Sequence, residues 1–153
     1  MHRRTRRRHV IQQSIVTAAL AVGGVAYTIH LAQEPLQSAD LQIAAQSLHS
    51  YAAEAVMLAE QALADNVYRP YVANEAQFLS EKARDVASTL TGNGIDGALV
   101  DHASQELKTA HELRTELHEL GTAHEDPLHL AASVQRLRRL AAAIKELERQ
   151  LRK

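Results

Sequence analysis

The stretch 39–64, ADLQIAAQSLHSYAAEAVMLAEQALA, decides the fold. Leu41, Ala45, Leu48, Ala52, Ala55, Ala59 and Ala62 step alternately by four and three, which lines them along one face of an α-helix and fits no strand period. Ala44, Tyr51 and Leu58 form a second stripe that widens the face. Alanine and leucine lose little on entering a helix, whereas sheets favour β-branched and aromatic side chains. Ser38 is placed to cap the start of this helix.

The same pattern recurs downstream. Residues 65–70 read as a turn, with Pro70 opening a helix over 70–90 in which Val72, Ala76, Leu79, Ala83, Val86 and Leu90 face inward. Thr91-Gly92-Asn93-Gly94 then stops the chain. A third helix is expected over 95–120, with Leu99, Ala103, Leu107, Ala110, Leu113, Leu117 and Leu120 inward and Gly121 as its C-terminal cap. Asp126-Pro127 starts a fourth, whose seam is Leu130, Val134, Leu137, Leu140, Ile144, Leu147 and Leu151. Four long helices with short turns predict an antiparallel, up-down bundle over 39–153. The alanine-lined first two helices are expected to pack closest together. A regular 3-4 step also suits two hairpins that pair between subunits as a coiled coil.

Upstream, the character changes. Arg3, Arg4, Arg6, Arg7 and Arg8 carry no acid among them, and an uncharged run follows over 10–31, VIQQSIVTAALAVGGVAYTIHL. Twenty-two residues at about 1.5 Å each give about 33 Å of helix, enough to cross a hydrocarbon core of about 30 Å. Tyr27 stands where an interfacial aromatic belongs, and Ala19 and Gly23, one turn apart, offer a close-approach face to a second membrane helix. Retention of the arginines in the cytoplasm directs everything after the span outward. The expected organisation is a basic cytoplasmic tail over 1–9, a single-pass signal anchor over 10–32, a linker over 33–38 and a periplasmic bundle over 39–153. A secretory signal peptide has a similar plan, and its removal would leave a soluble periplasmic helical protein of stress-protective type.

Composition narrows the chemistry. The chain has no cysteine, which excludes disulfides, thiolate zinc sites and thiol catalysis. A net charge of −1 conceals three zones: the basic N-terminus, fourteen acids against five bases over 33–120, and seven bases against four acids over 121–153. The basic fourth helix is placed to complement the acidic first three, and its end to meet anionic lipid. Its bases interleave with seam residues and lack aromatics for stacking, which argues against nucleic acid. No phosphate loop or nucleophile elbow is present, so no enzyme is expected.

Nine histidines are the remaining chemical signal. His102 and Glu106 have the i,i+4 spacing of a helix chelate, and His111 and His118 lie further along the same helix, so these four are the candidate ligands for a divalent transition metal. The leading expectation is nonetheless a membrane-anchored, non-catalytic interaction module that presents its bundle to a protein partner or to a second copy. A histidine-based metal-binding or metal-sensing domain is the alternative.

Overall fold

A computed structural model of the chain describes residues 36–92, 94–123 and 126–152. The arginine cluster and the 10–31 run with Ala19, Gly23 and Tyr27 lie outside these residues. Four α-helices account for the described chain: α1 Ser38–Leu63, α2 Arg69–Gly92, α3 Val100–Ala123 and α4 Pro127–Leu151. They belong to one unit, Pro35–Lys153. A 3-10 turn, Gly97–Leu99, precedes α3. Among the described residues there is no strand, and no helix is long and apolar enough to cross a membrane.

Each helix ends for a local reason. At the start of α1 the cap is Gln37 rather than Ser38, because the Gln37 N–H donates to Asp40 Oδ2 at 2.9 Å, an arrangement that fixes the first turn one residue earlier. The α1–α2 turn closes through Asp65, whose φ of 56° is the left-handed geometry usually taken by glycine. Asp126 caps α4 by accepting from the Leu128 N–H at 2.9 Å, with Pro127 next in line where its missing N–H is harmless. Gly121 does not terminate α3. The helix runs through it to Ala123, and no described glycine takes a positive φ.

The seam residues of α1 are all buried. Their packing partners differ from expectation, since α2 packs most extensively on α3 and α1 on α4, not α1 on α2. Polar contacts mark the antiparallel register of α1 and α4. His49 meets Glu148 at 3.3 Å and Glu60 meets Arg138 at 2.7 Å, so position rises along one helix as it falls along the other.

Two apolar clusters make up the core. The larger runs from Leu48 on α1 through Val72, Leu79, Leu113, Leu117, Leu120 and Leu137 to Ile144. The smaller gathers Leu36, Leu41, Ala44, Leu90 and Ala103 at the end where the chain enters the bundle. A parallel bridge from Leu36 to Ile95, with the Leu36 N–H donating to Gly94 O at 2.7 Å, ties that entry to the α2–α3 connection.

Candidate functional site

On α3 the inward positions step through Ala103, Glu106, Ala110, Leu113, Leu117 and Leu120. The expected seam placed Leu107 inside. Instead Leu107 is half-buried and Glu106 is 1% exposed. Ala103, one turn before Glu106, belongs to the smaller cluster and Ala110, one turn after, to the larger. Glu106 therefore occupies the layer between the two halves of the core.

A carboxylate there is expensive to ionise, because low-dielectric surroundings disfavour the charge. Burial pushes the Glu106 carboxyl from 4.5 up to about 8. Neither of its oxygens has a hydrogen-bond partner, and the same is true of the buried Nδ1 of His102, one helical turn earlier. These three atoms make up the majority of the five buried side-chain polar atoms that lack a partner among the described residues. Unsatisfied buried groups are uncommon in native proteins, and three on one i,i+4 pair mark the place chemically.

Glu148, the other buried acid, has a different environment. It is 9% exposed, faces His49 across the α1–α4 interface and is hydrogen-bonded by Arg152 one turn on. Its charge is compensated. The bases of α4 behave similarly: Arg136 reaches across to Glu116 and Glu119 on α3, and Arg138 reaches Glu60 on α1. Two bases of the fourth helix thus pair with acids of the helices beside it, and Arg149 and Arg152 pair with acids of α4 itself.

The four candidate metal ligands divide into two groups. His102 and Glu106 share a face at the core. His111 and His118 are exposed and lie about 120–180° further round α3, as a rotation of about 100° per residue requires. His118 borders an open groove of about 430 Å³ between α2 and α3, with Ala73, Gln77, Ser80 and Glu81 opposite. His111 borders a shallower one with Lys108, Glu112 and Glu116. Among the described residues no group of three or more His, Asp or Glu side chains converges on one metal position.

Four of the eight exposed large apolar side chains among the described residues lie at the end of the bundle that holds the α1–α2 and α3–α4 connections. Leu63, Tyr68 and Tyr71 flank the first connection, and Leu128, 83% exposed, stands at the start of α4 beside the second. Tyr71 and Phe78 fall two turns apart on α2, and Lys82 sits over the Phe78 ring at 5.3 Å. The sequence pattern did not single these residues out, because Tyr68 lies in a turn and Leu63, Tyr71, Phe78 and Leu128 fall off the apolar seams of their helices. Comparison with protein-family models, with curated proteins and with solved structures finds no match to this chain.

Proposed function

We propose that the chain is a non-catalytic helical interaction module, tethered to a bacterial-type inner membrane by residues 10–32, with its bundle on the extracytoplasmic side. The observation that carries this reading is the apolar end of the bundle. Leu63, Tyr68, Tyr71 and Leu128 together expose large apolar surface at one end of the bundle, and aromatic anchors of this kind are what protein interfaces use. The arginine cluster and the uncharged run after it support the tether and its orientation. Ion pairing of α4 within the bundle supports a protein-binding over a nucleic-acid-binding role, since most of its bases already have carboxylate partners.

The test uses the full chain in intact membranes. Carbonate-washed membranes are expected to retain a protein that still carries residues 1–32 by mass spectrometry. Crosslinking before solubilisation is expected to give a discrete complex, with a partner or with a second copy, that is weakened when Tyr68 and Leu128 are both replaced by serine. A freely soluble chain beginning near residue 33, or uncrosslinked monomer alone, overturns the reading.

A further inference from the structure

We propose that the outer face of α1 is a self-association surface, on which a second copy of this chain docks its own α1 in parallel. Ile43, Ser50, Met57 and Ala64 follow one another at intervals of seven, and Gln46 and Ala53 fall between them at steps of three and four. All six are exposed, on the side of the helix away from its buried seam, and none carries a charge. Ile43 and Met57, two heptads apart, are 62% and 59% exposed. The helix therefore has a second seam besides the one that builds the core, and a heptad seam is what a helix of the same kind interlocks with.

Charge selects the occupant and its direction. In a parallel pair the positions that flank the seam meet five residues apart, so Gln42, His49 and Val56 of one copy face Ser47, Glu54 and Gln61 of the other. No like charges meet, and the one ionisable pairing sets an imidazole against a carboxylate. His49 directs Nδ1 to Glu148 at 3.3 Å, which leaves Nε2 for Glu54 of the second copy. Access is open as well. The α1 helix packs on α2 and α4 and least on α3, so it stands at a corner of the bundle where another helix reaches it without displacing a neighbour. A parallel pair leaves both chain entries at the same end, which lets two copies anchored in one membrane meet. The contact is a single helix pair about 39 Å long, at the small end of specific interfaces, so it forms by mass action and is best trapped covalently. This face is separate from the apolar end, and the pairing does not depend on what that end binds.

The chain has no cysteine, so an introduced one reports contacts against no background. Ile43→Cys, Ser50→Cys and Met57→Cys are made one at a time in the full chain, with Thr115→Cys on the exposed face of α3 as control, and oxidised with copper phenanthroline. Whichever fraction holds the chain, membrane or soluble, is the one oxidised, which keeps this test apart from that of the tether. Seam residues of a parallel pair face their own counterparts within the reach of a disulfide, so each of the three is expected to give at least about fivefold more linked dimer than Thr115→Cys. Adding Met57→Glu to Ser50→Cys is expected to lower its dimer to the control level, with the helicity of the purified chain unchanged. Replacing both Tyr68 and Leu128 by serine is expected to leave the yields as they are. Yields at 43, 50 and 57 no higher than at 115 overturn the proposal, as does a mixed 43–57 dimer in preference to the like pairs, which marks antiparallel docking. Capture of a different protein by these cysteines in place of a second copy also overturns it, as does loss of the dimer in the Tyr68/Leu128 variant.

Discussion

The Nε of Arg136 lies 2.7 Å from Oε2 of Glu116, across the hairpin formed by α3 and α4. The same guanidinium places Nη2 2.7 Å from Glu119 and 3.3 Å from the hydroxyl of Ser133, which is fully buried. The hydrogen bond to Glu116 holds Arg136 charged more firmly than an ordinary arginine. A planar fork that engages two carboxylates is stronger than a single surface pair. Arg136→Ala is expected to cost about 1–2 kcal/mol, much of it from leaving the largely buried Glu116 without a partner. Arg136→Lys is expected to recover part of that, and Arg139→Ala, at an exposed position on the same helix, to change stability by less than about 0.5 kcal/mol. Urea midpoints of the three variants check the order. Equal effects at 136 and 139 would show that the clamp contributes nothing.

Asp126 performs a different task on the same helix. Its side chain accepts the Leu128 N–H, one of the four amides that the first turn of α4 leaves without an internal partner. Asp126→Ala is expected to destabilise the bundle by about 1 kcal/mol, and Asp126→Asn or Asp126→Ser by only a few tenths. Thermal unfolding followed by circular dichroism distinguishes these. A loss with Asn as large as with Ala would mean that charge, and not the cap, is what matters.

The bundle was legible because its signal is repetitive. Seven alanine and leucine positions on α1 step by four and three, and every one of them is buried. The fourth helix was equally clear, since Asp126-Pro127 starts it and its seam is nearly all leucine. What escaped was each place where a single residue breaks the pattern. Glu106 took the seam because Leu107 beside it offered an equally regular apolar reading, and periodicity cannot separate adjacent positions that both fit. His102 and Glu106 could be noticed as a spaced pair, but their burial without partners is a property of the packed helices. Of the four residues of the apolar end, Tyr68 lies in a connection, and Leu63, Tyr71 and Leu128 lie on helices but off their buried seams.

Gly121 shows how a local rule misleads. Glycine after a leucine-rich run is the usual sign of a helix end, yet here α3 continues through it to Ala123 with an ordinary backbone. A Cβ at this position would meet the Ala76 Cβ at 3.6 Å and the Ala73 carbonyl oxygen at 3.7 Å, which are normal van der Waals separations. One methyl therefore fits without moving α2. Gly121→Ala is expected to stabilise the bundle by about 0.5–1 kcal/mol, since alanine loses less backbone freedom in a helix. Gly121→Leu is expected to destabilise it by about 1–3 kcal/mol through overpacking against Ala73 and Ala76. Opposite signs in the denaturation midpoints confirm the close α2–α3 approach, and a stabilising leucine would refute it.

The titration of Glu106 couples the core to pH, and its sign is opposite to that of a salt-bridged acid. In the folded chain its carboxyl titrates at about 8, against 4.5 for an unperturbed carboxyl such as the unfolded chain presents. Below the lower value the group is protonated in both states and its contribution to stability is complete. Between the two values the folded state holds a proton that the unfolded state has released, so stability falls as pH rises, by about 1.4 kcal/mol per unit. Across the whole window the loss is on the order of 4–5 kcal/mol at most. Glu106→Gln removes this titration while keeping the shape, and Glu106→Leu also removes the unpartnered oxygens. Both variants are expected to equal or exceed wild type in stability near pH 8, and to have a flatter dependence between about pH 5 and pH 8. Guanidinium unfolding at a series of pH values measures the slopes directly. Parallel curves for wild type and Glu106→Gln would show that Glu106 is ionised in the folded bundle and that its environment is polar, contrary to its place between the two apolar clusters.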